Sequence, residues 1–452
     1  GYEGGIPGIF YGPHWSWMIS VVQLFDRNPA VVATIVLFIP YFTLLPWLFF
    51  KFKTIFGTLT TACLWLLYIL AYHSRSMHLW HIYAAPLILL ALIYVLVTID
   101  WNKLHKKGLV KLSVAGFLTS LLLNIHMSLG SIITLAVLVY VGTNAIWSLV
   151  TPSFRNRSGK TKPLFGLILF GLGFLLCSLP FILFELRHNF MQTKRITYVL
   201  TQSFLYNSAV VGQVGLSQNQ IWWEFGKLPL TIFQIPDVYA YVWWLVSVFI
   251  AGFLLGKGKL VLTPLQKRLV FFLGICALFL IFVYLSSKNP IWEYQFVGAD
   301  IIVVLLIGLV VSRSRILTLL TVGWTVWLSF SLLFKTVTEK PLDPLSLPTL
   351  YAKRYVVEQI YQDADKHPFT VYSYSPAIYT FDYDYLFKWL GKDVYKYEPE
   401  LDTDLVYLII PEATEKIKTE FVGAKTPDAQ FVTQREWQIK NDTVVIKRAR
   451  RN

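Results

Sequence analysis

The sequence predicts an α-helical polytopic membrane protein of about ten transmembrane helices, followed by a small α/β domain outside the membrane. Three observations predict this class. The 452 residues are 55% hydrophobic and only 15% charged, with mean hydropathy +0.54, where soluble domains carry roughly 25% charged residues. The apolar residues gather into runs near the roughly 20 residues that a hydrocarbon core demands. The charge is divided: residues 1–335 hold 24 Lys and Arg against 8 Asp and Glu, and residues 336–452 hold 16 against 18. The basic surplus therefore belongs to the apolar part, where it follows membrane sidedness and gives no sign of a nucleic-acid partner. An aromatic content of 16% excludes a disordered chain.

Residues 1–28 form an outer loop with an interfacial aromatic helix. The chain begins with Gly1, no charged leader precedes the apolar runs, and the natural start is expected to lie further upstream. Segment 12–25 (GPHWSWMISVVQLF) is too short to span, and its tryptophans suit the membrane interface. The membrane domain, 29–335, then offers ten candidate spans: 29–50, 55–72, 79–99, 109–124, 127–149, 163–186, 239–256, 268–286, 297–312 and 315–335. Alternate connecting loops carry fifteen cations, from Lys51 and Lys53 through Lys103, Lys106 and Lys107 to Arg313 and Arg315, with Asp100 their only acid. By the positive-inside rule these loops are cytoplasmic, and 1–28, 73–78, 124–126, 187–238, 287–296 and the tail face outward.

The tail, 336–452, is a different kind of chain. Residues 350–365 have helical spacing, 376–390 predict a helix with Pro376 near its start, and 369–375, 404–411 and 442–449 are rich in β-branched and aromatic residues, as strands are. Cys63, Cys177 and Cys276 each lie inside an apolar run, against both a disulfide framework and a thiolate metal site. No P-loop, GxGxxG, HExxH, GxSxG or CxxC pattern occurs, which sets aside nucleotide motors, zincins and serine hydrolases.

The candidate site residues gather on the outer face. Arg75, between two spans, is either a snorkelling cation or a clamp for phosphate oxygens. Segment 180–195 runs from a span into Glu185, Arg187, His188, Lys194 and Arg195. Cations there oppose the usual bias, and a lipid-linked phosphate at the bilayer surface would explain them; the bland alternative is a Glu185–Arg187 or Glu185–His188 pair within a solvated basic patch. His126 beside Asn124 interrupts an apolar stretch, where polar groups face a cavity or a neighbouring helix. His81 is a satisfied membrane histidine in the plainest reading. Near the start, Glu3, Tyr11, His14 and Trp15 offer one acid and a set of rings that could stack on a sugar; near the ninth span, Glu293, Tyr294 and Asp300 share the outer face.

The order GPHW, a span pair around Ser74-Arg75, NIH before a span, PFILFELRHNF and a small outer α/β tail resembles bacterial membrane glycosyltransferases of the GT-C fold. Within that fold it is similar to the protein mannosyltransferase and aminoarabinose transferase families, and the tail segment 371–397 resembles the soluble end of bacterial members. The resemblance implies a multi-pass protein of the bacterial cytoplasmic membrane that moves a sugar from a polyprenyl-phosphate donor to a glycan, lipid or protein acceptor. It implies an outer-loop carboxylate as general base, either Glu3 or an acid preceding residue 1. Arg75, Arg187, His188, Lys194 and Arg195 would then hold the donor phosphate. No cofactor is implied, although a divalent cation is compatible with the chemistry. Two rival classes remain: a transporter or flippase of lipid-linked glycans, which would favour midplane charges and an internal repeat, and a scaffold presenting the tail as a binding module.

Overall fold

The computed structural model describes residues 13–73, 81–101, 104–150, 161–205, 218–233, 262–286, 293–338, 343–347, 349–374, 381–411 and 414–451. The chain divides after Leu332, inside its last long helix, into a helical unit and a C-terminal unit. Among the described residues, six helices are long and apolar enough to cross a membrane. In chain order, the helical unit contains α1 (His14–Gln23), α2 (Pro29–Lys51), α3 (Thr58–His73), α4 (Ala85–Val97), α5 (Lys106–Ile125), α6 (Met127–Val150), α7 (Thr161–Arg187), α8 (Met191–Leu205), α9 (Gln218–Phe233), α10 (Pro264–Ser286), α11 (Ala299–Val311) and α12 (Arg315–Thr338). The six are α2, α5, α6, α7, α10 and α12.

Six of the ten expected spans are thus long apolar helices among the described residues. Span 239–256 lies outside the described residues, and the spans at 55–72, 79–99 and 297–312 appear as shorter apolar helices. These run Thr58–Ala71, Ile82–Val97 and Ala299–Val311, and at a rise of 1.5 Å per residue each covers only part of a hydrocarbon core of about 30 Å. Of these, α4 and α11 are buried on nearly every side, with nine residues each inside the bundle. In α12, by contrast, only 17% of the apolar stretch is buried. Helices apolar all round belong in a core or in lipid, and here the short ones take the core while the long ones meet lipid.

Close approach is built from small residues, as membrane helix pairs require. A Cβ on Gly116 of α5 would stand 2.0 Å from the Phe170 carbonyl oxygen of α7, and one on Gly173 would stand 2.0 Å from that of Ser113. Ser120 and Ser178 hydroxyls meet at 2.6 Å further along. Gly166 faces Leu112 near the start of both helices and Ser178 faces Ser120 near their ends, so α5 and α7 run parallel. Between α5 and α6 the chain reverses over His126 alone, and Gly130 fits there because a Cβ would come within 2.5 Å of Leu123 Cα.

Four of the five cation-rich loops meet at one end of this unit. Gln266 donates to the Ile55 carbonyl at 2.8 Å, Arg313 donates to Gln266 Oε1, and Arg268 donates to the Ile99 carbonyl at 2.7 Å and pairs with Asp100 at 3.2 Å. The fifth loop, 151–160, lies outside the described residues. The starts of α4, α6 and α11 gather at the opposite end, where Gly298 packs against Ala85, Pro86 and Leu129.

Two helices occupy the stretch expected to be an outer loop, 187–238. α9 buries Ile221, Phe225, Leu228 and Ile232 in the same core as α3, α10 and α11, a spacing of four, three and four that the sequence displayed.

In the C-terminal unit, α13 (Leu350–Ala364), β1 (Thr370–Ser373), α14 (Phe381–Leu390), β2 (Leu405–Ile410), α15 (Glu415–Lys425), β3 (Phe431–Gln438) and β4 (Val444–Arg450) follow one another. The four strands form one sheet in the order β1-β2-β4-β3, with β1 and β2 parallel and the other pairs antiparallel. Val356, Ile360 and Phe387 pack on the face carrying Tyr407, Ile409 and Val445; Ile417 and Phe421 pack on the face carrying Val406, Leu408 and Ile446. Thr349 and Thr414 cap α13 and α15 through their side chains, as hydroxyls at helix starts do.

Candidate functional site

The turn between α7 and α8 is unusual in its backbone. Asn189 and Phe190 both sit in the left-handed region, at φ 53° and 57°, which costs a non-glycine residue roughly 1–2 kcal/mol. The turn is fixed by Glu185, which is 3% exposed. Its Oε1 accepts from the Gln192 N–H at 3.0 Å, and its Oε2 accepts from the Thr193 N–H at 2.7 Å and the Thr193 hydroxyl at 2.6 Å. The Phe190 N–H closes the turn onto the Glu185 carbonyl at 2.8 Å. A carboxylate from one helix thus caps the N-terminus of the next, satisfying orphan amides and complementing their partial positive charge.

Both Glu185 oxygens are engaged by α8, so this carboxylate supports the turn from beneath. Among the described residues it pairs directly with neither Arg187 nor His188, although His188 is near enough to act on it electrostatically. Arg187, His188 and Lys194 stand exposed around it. His188 stacks on Phe184, ring centroids 4.1 Å apart, and its Nδ1–H donates to the Phe184 carbonyl at 2.8 Å.

Phe184 also lines an apolar groove of about 550 Å3, bounded by Pro13, Trp17, Leu179, Pro180, Leu183 and Gln192 among others. The wall made by α1 differs from expectation. Trp15, expected to stack on a sugar or sit at the interface, is 6% exposed and belongs to the helical core, whereas Trp17 is 53% exposed at the groove. Residues two apart on a helix point about 200° apart, so one ring of the pair had to turn inward. His14 is likewise directed into the bundle, with Nε2 3.6 Å from Cys177 Sγ and Nδ1 buried without a hydrogen-bond partner among the described residues. Burial holds His14 below the ordinary histidine value.

His126, 1% exposed, ends α5 with Nδ1 3.2 Å from the Ser128 hydroxyl. Asn124 donates to the Ser120 carbonyl at 2.8 Å, so this polar pair lies inside the helix packing. Asp300 is buried in the first turn of α11. Arg75, Glu3 and Tyr11 lie outside the described residues, as do the side chains of His81, Arg195, Glu293 and Tyr294. Among the described residues no group of three or more His, Cys, Asp or Glu could hold a metal ion. No family model matches the sequence, and no curated protein matches it either. Sequence reasoning reached Arg187, His188 and Lys194 but passed over Trp17, Phe184 and Gln192; the groove they line depends on how α1 and α8 pack on α7.

Proposed function

We propose that this chain is an integral membrane glycosyltransferase, which takes a sugar from a polyprenyl-phosphate donor and transfers it to a glycan, lipid or protein acceptor at the outer face of the bacterial cytoplasmic membrane. One observation supports the reading above all: an apolar groove of about 550 Å3 adjoins a strained, carboxylate-capped turn bearing Arg187, His188 and Lys194. An amphipathic ligand with a long apolar tail and an anionic head has that division of chemistry. On the finer plan of about ten spans with a C-terminal domain outside the membrane, both features face outward.

In the transfer, an acceptor hydroxyl attacks the anomeric carbon and the bond from that carbon to the phosphate oxygen breaks. The phosphate gains charge as it departs, and Arg187 and Lys194, with Arg75, stabilise it. A carboxylate, Glu3 or an acid upstream of it, takes the hydroxyl proton. Pro13, Trp17, Leu183 and Phe184 seat the prenyl tail. A transporter reading is less favoured, because the cations stand at a helix end and not at the midplane.

The test is transfer from a labelled polyprenyl-phosphate sugar by the reconstituted full chain. Arg187→Ala and Arg75→Ala are each expected to lower turnover by about 100-fold or more, the usual effect of removing one donor to developing charge, while the protein still inserts. Unchanged turnover in both variants would remove the phosphate clamp from the account.

A further inference from the structure

At the end of the bundle away from the groove, three cations converge with a single acid among the described residues. Lys107 and Lys111 lie one turn apart on α5, and Lys111 and Arg268 reach the adjacent carbonyls of Thr98 and Ile99, so like charges act on Lys111 from both sides. Lys111 Nζ donates to the Thr98 carbonyl at 3.1 Å and the Thr98 hydroxyl at 2.9 Å. Arg268 donates to the Ile99 carbonyl and to Asp100. The C-terminus of α4 and one half-exposed carboxylate therefore answer Lys111 and Arg268. Lys107 is exposed and forms no hydrogen bond or ion pair among the described residues. The cluster keeps an excess of positive charge inside the helix ends, where like charges repel.

Below Lys107 the same stripe of α5 turns apolar and outward. Val110 is 58% exposed, Val114 41% and Phe117 38%, at intervals of three, four and three from Lys107, which keeps them on one helix face. From Lys107 to Phe117 the helix rises roughly 15 Å, the depth of one leaflet in a core of about 30 Å. A basic patch sits at headgroup level and an apolar track runs from it into the bilayer. Basic pockets between membrane helices bind acidic headgroups through this arrangement.

We infer that Lys107, Lys111 and Arg268 form a binding site for one anionic phospholipid of the adjoining leaflet. Its phosphodiester bridges Lys107 to the Lys111–Arg268 pair and relieves their mutual repulsion. One of its acyl chains lies along Val110, Val114 and Phe117. The occupant differs from the polyprenyl phosphate of the opposite end and does not depend on the proposed transfer activity.

Native mass spectrometry of the delipidated full chain, titrated with phosphatidylglycerol and separately with phosphatidylcholine, tests the site. The wild type is expected to retain phosphatidylglycerol preferentially. Lys107→Gln, which removes no hydrogen bond or ion pair among the described residues, should lower that retention about fivefold, the equivalent of about 1 kcal/mol for one surface cation. Lys51→Gln, at a cation stacked on Trp47 at 4.4 Å, should leave it unchanged. Equal retention of the two lipids, or an equal loss in Lys107→Gln and Lys51→Gln, overturns the site in favour of diffuse attraction. Displacement of phosphatidylglycerol by millimolar inorganic phosphate would overturn the lipid assignment and leave a free-phosphate site.

Discussion

Glu185 shows how a charged residue's place can be legible in the sequence while its partners are not. Its position among Arg187, His188 and Lys194 suggested an ion pair, but its oxygens reach Gln192 and Thr193. That partnership depends on two left-handed residues that no local spacing announces. Glu185→Ala should cost about 1–3 kcal/mol, the penalty for orphaning buried donors, seen as a lower unfolding temperature and faster proteolysis between α7 and α8. His14 gives a pH prediction. Burial depresses its value in the docked helix, so the undocked state binds the proton more readily. Docking of α1 is complete above about pH 6.5, the free histidine value, and weakens as pH falls below it. Cys177 and Trp17 are the groups facing the ring, and neither supplies a compensating charge. Amide exchange in α1 should quicken at pH 5 relative to pH 7.5 when each is referenced to His14→Gln; identical ratios at both pH values would discard the effect.

Elements were legible in proportion to how much of their surface meets one kind of surrounding. The expected spans at 29–50, 109–124, 127–149, 163–186, 268–286 and 315–335 correspond to helices whose long apolar faces meet lipid. α9 was missed because a polar start, Gln218-Asn219-Gln220, hid a buried stripe. β3 was missed for the opposite reason: it is an edge strand with Val432 through Glu436 exposed, so neither alternation nor apolarity marked it. Its partner β4, with Val444, Val445 and Ile446 buried, was plain. Packing decides the next prediction. Gly116→Leu on α5 would drive a side chain into the α7 backbone at a position already closer than contact for a bare Cβ. The cost should exceed the about 1–3 kcal/mol of ordinary overpacking, and the variant should lose its monodisperse peak in size-exclusion chromatography, whereas Gly142→Ala, with open space around it, should not.

Across the helical unit, the distribution of cations predicted which loops share an end, and Gln266, Arg268 and Arg313 tie those loops together. Which end faces the cytoplasm is a separate matter, and labelling decides it. In a cysteine-free background, Lys53→Cys and Lys267→Cys should react with an impermeant maleimide only after the cytoplasmic side is opened, and Lys194→Cys should react from outside in intact cells; the reverse pattern would invert the assignment. The candidate site was legible as a cluster of charges on one segment, while its apolar half was not, because that half is assembled from α1, α7 and α8.

The single-residue reversal at His126 has a consequence for biogenesis. Nothing hydrophilic longer than one imidazole separates α5 from α6, and Gly130 already rests on Leu122 and Leu123. The two helices therefore have no loop to translocate, and they should leave the insertion machinery as one hairpin. Lengthening the vertex with a glycosylation acceptor sequence would separate these events and expose them to stepwise measurement.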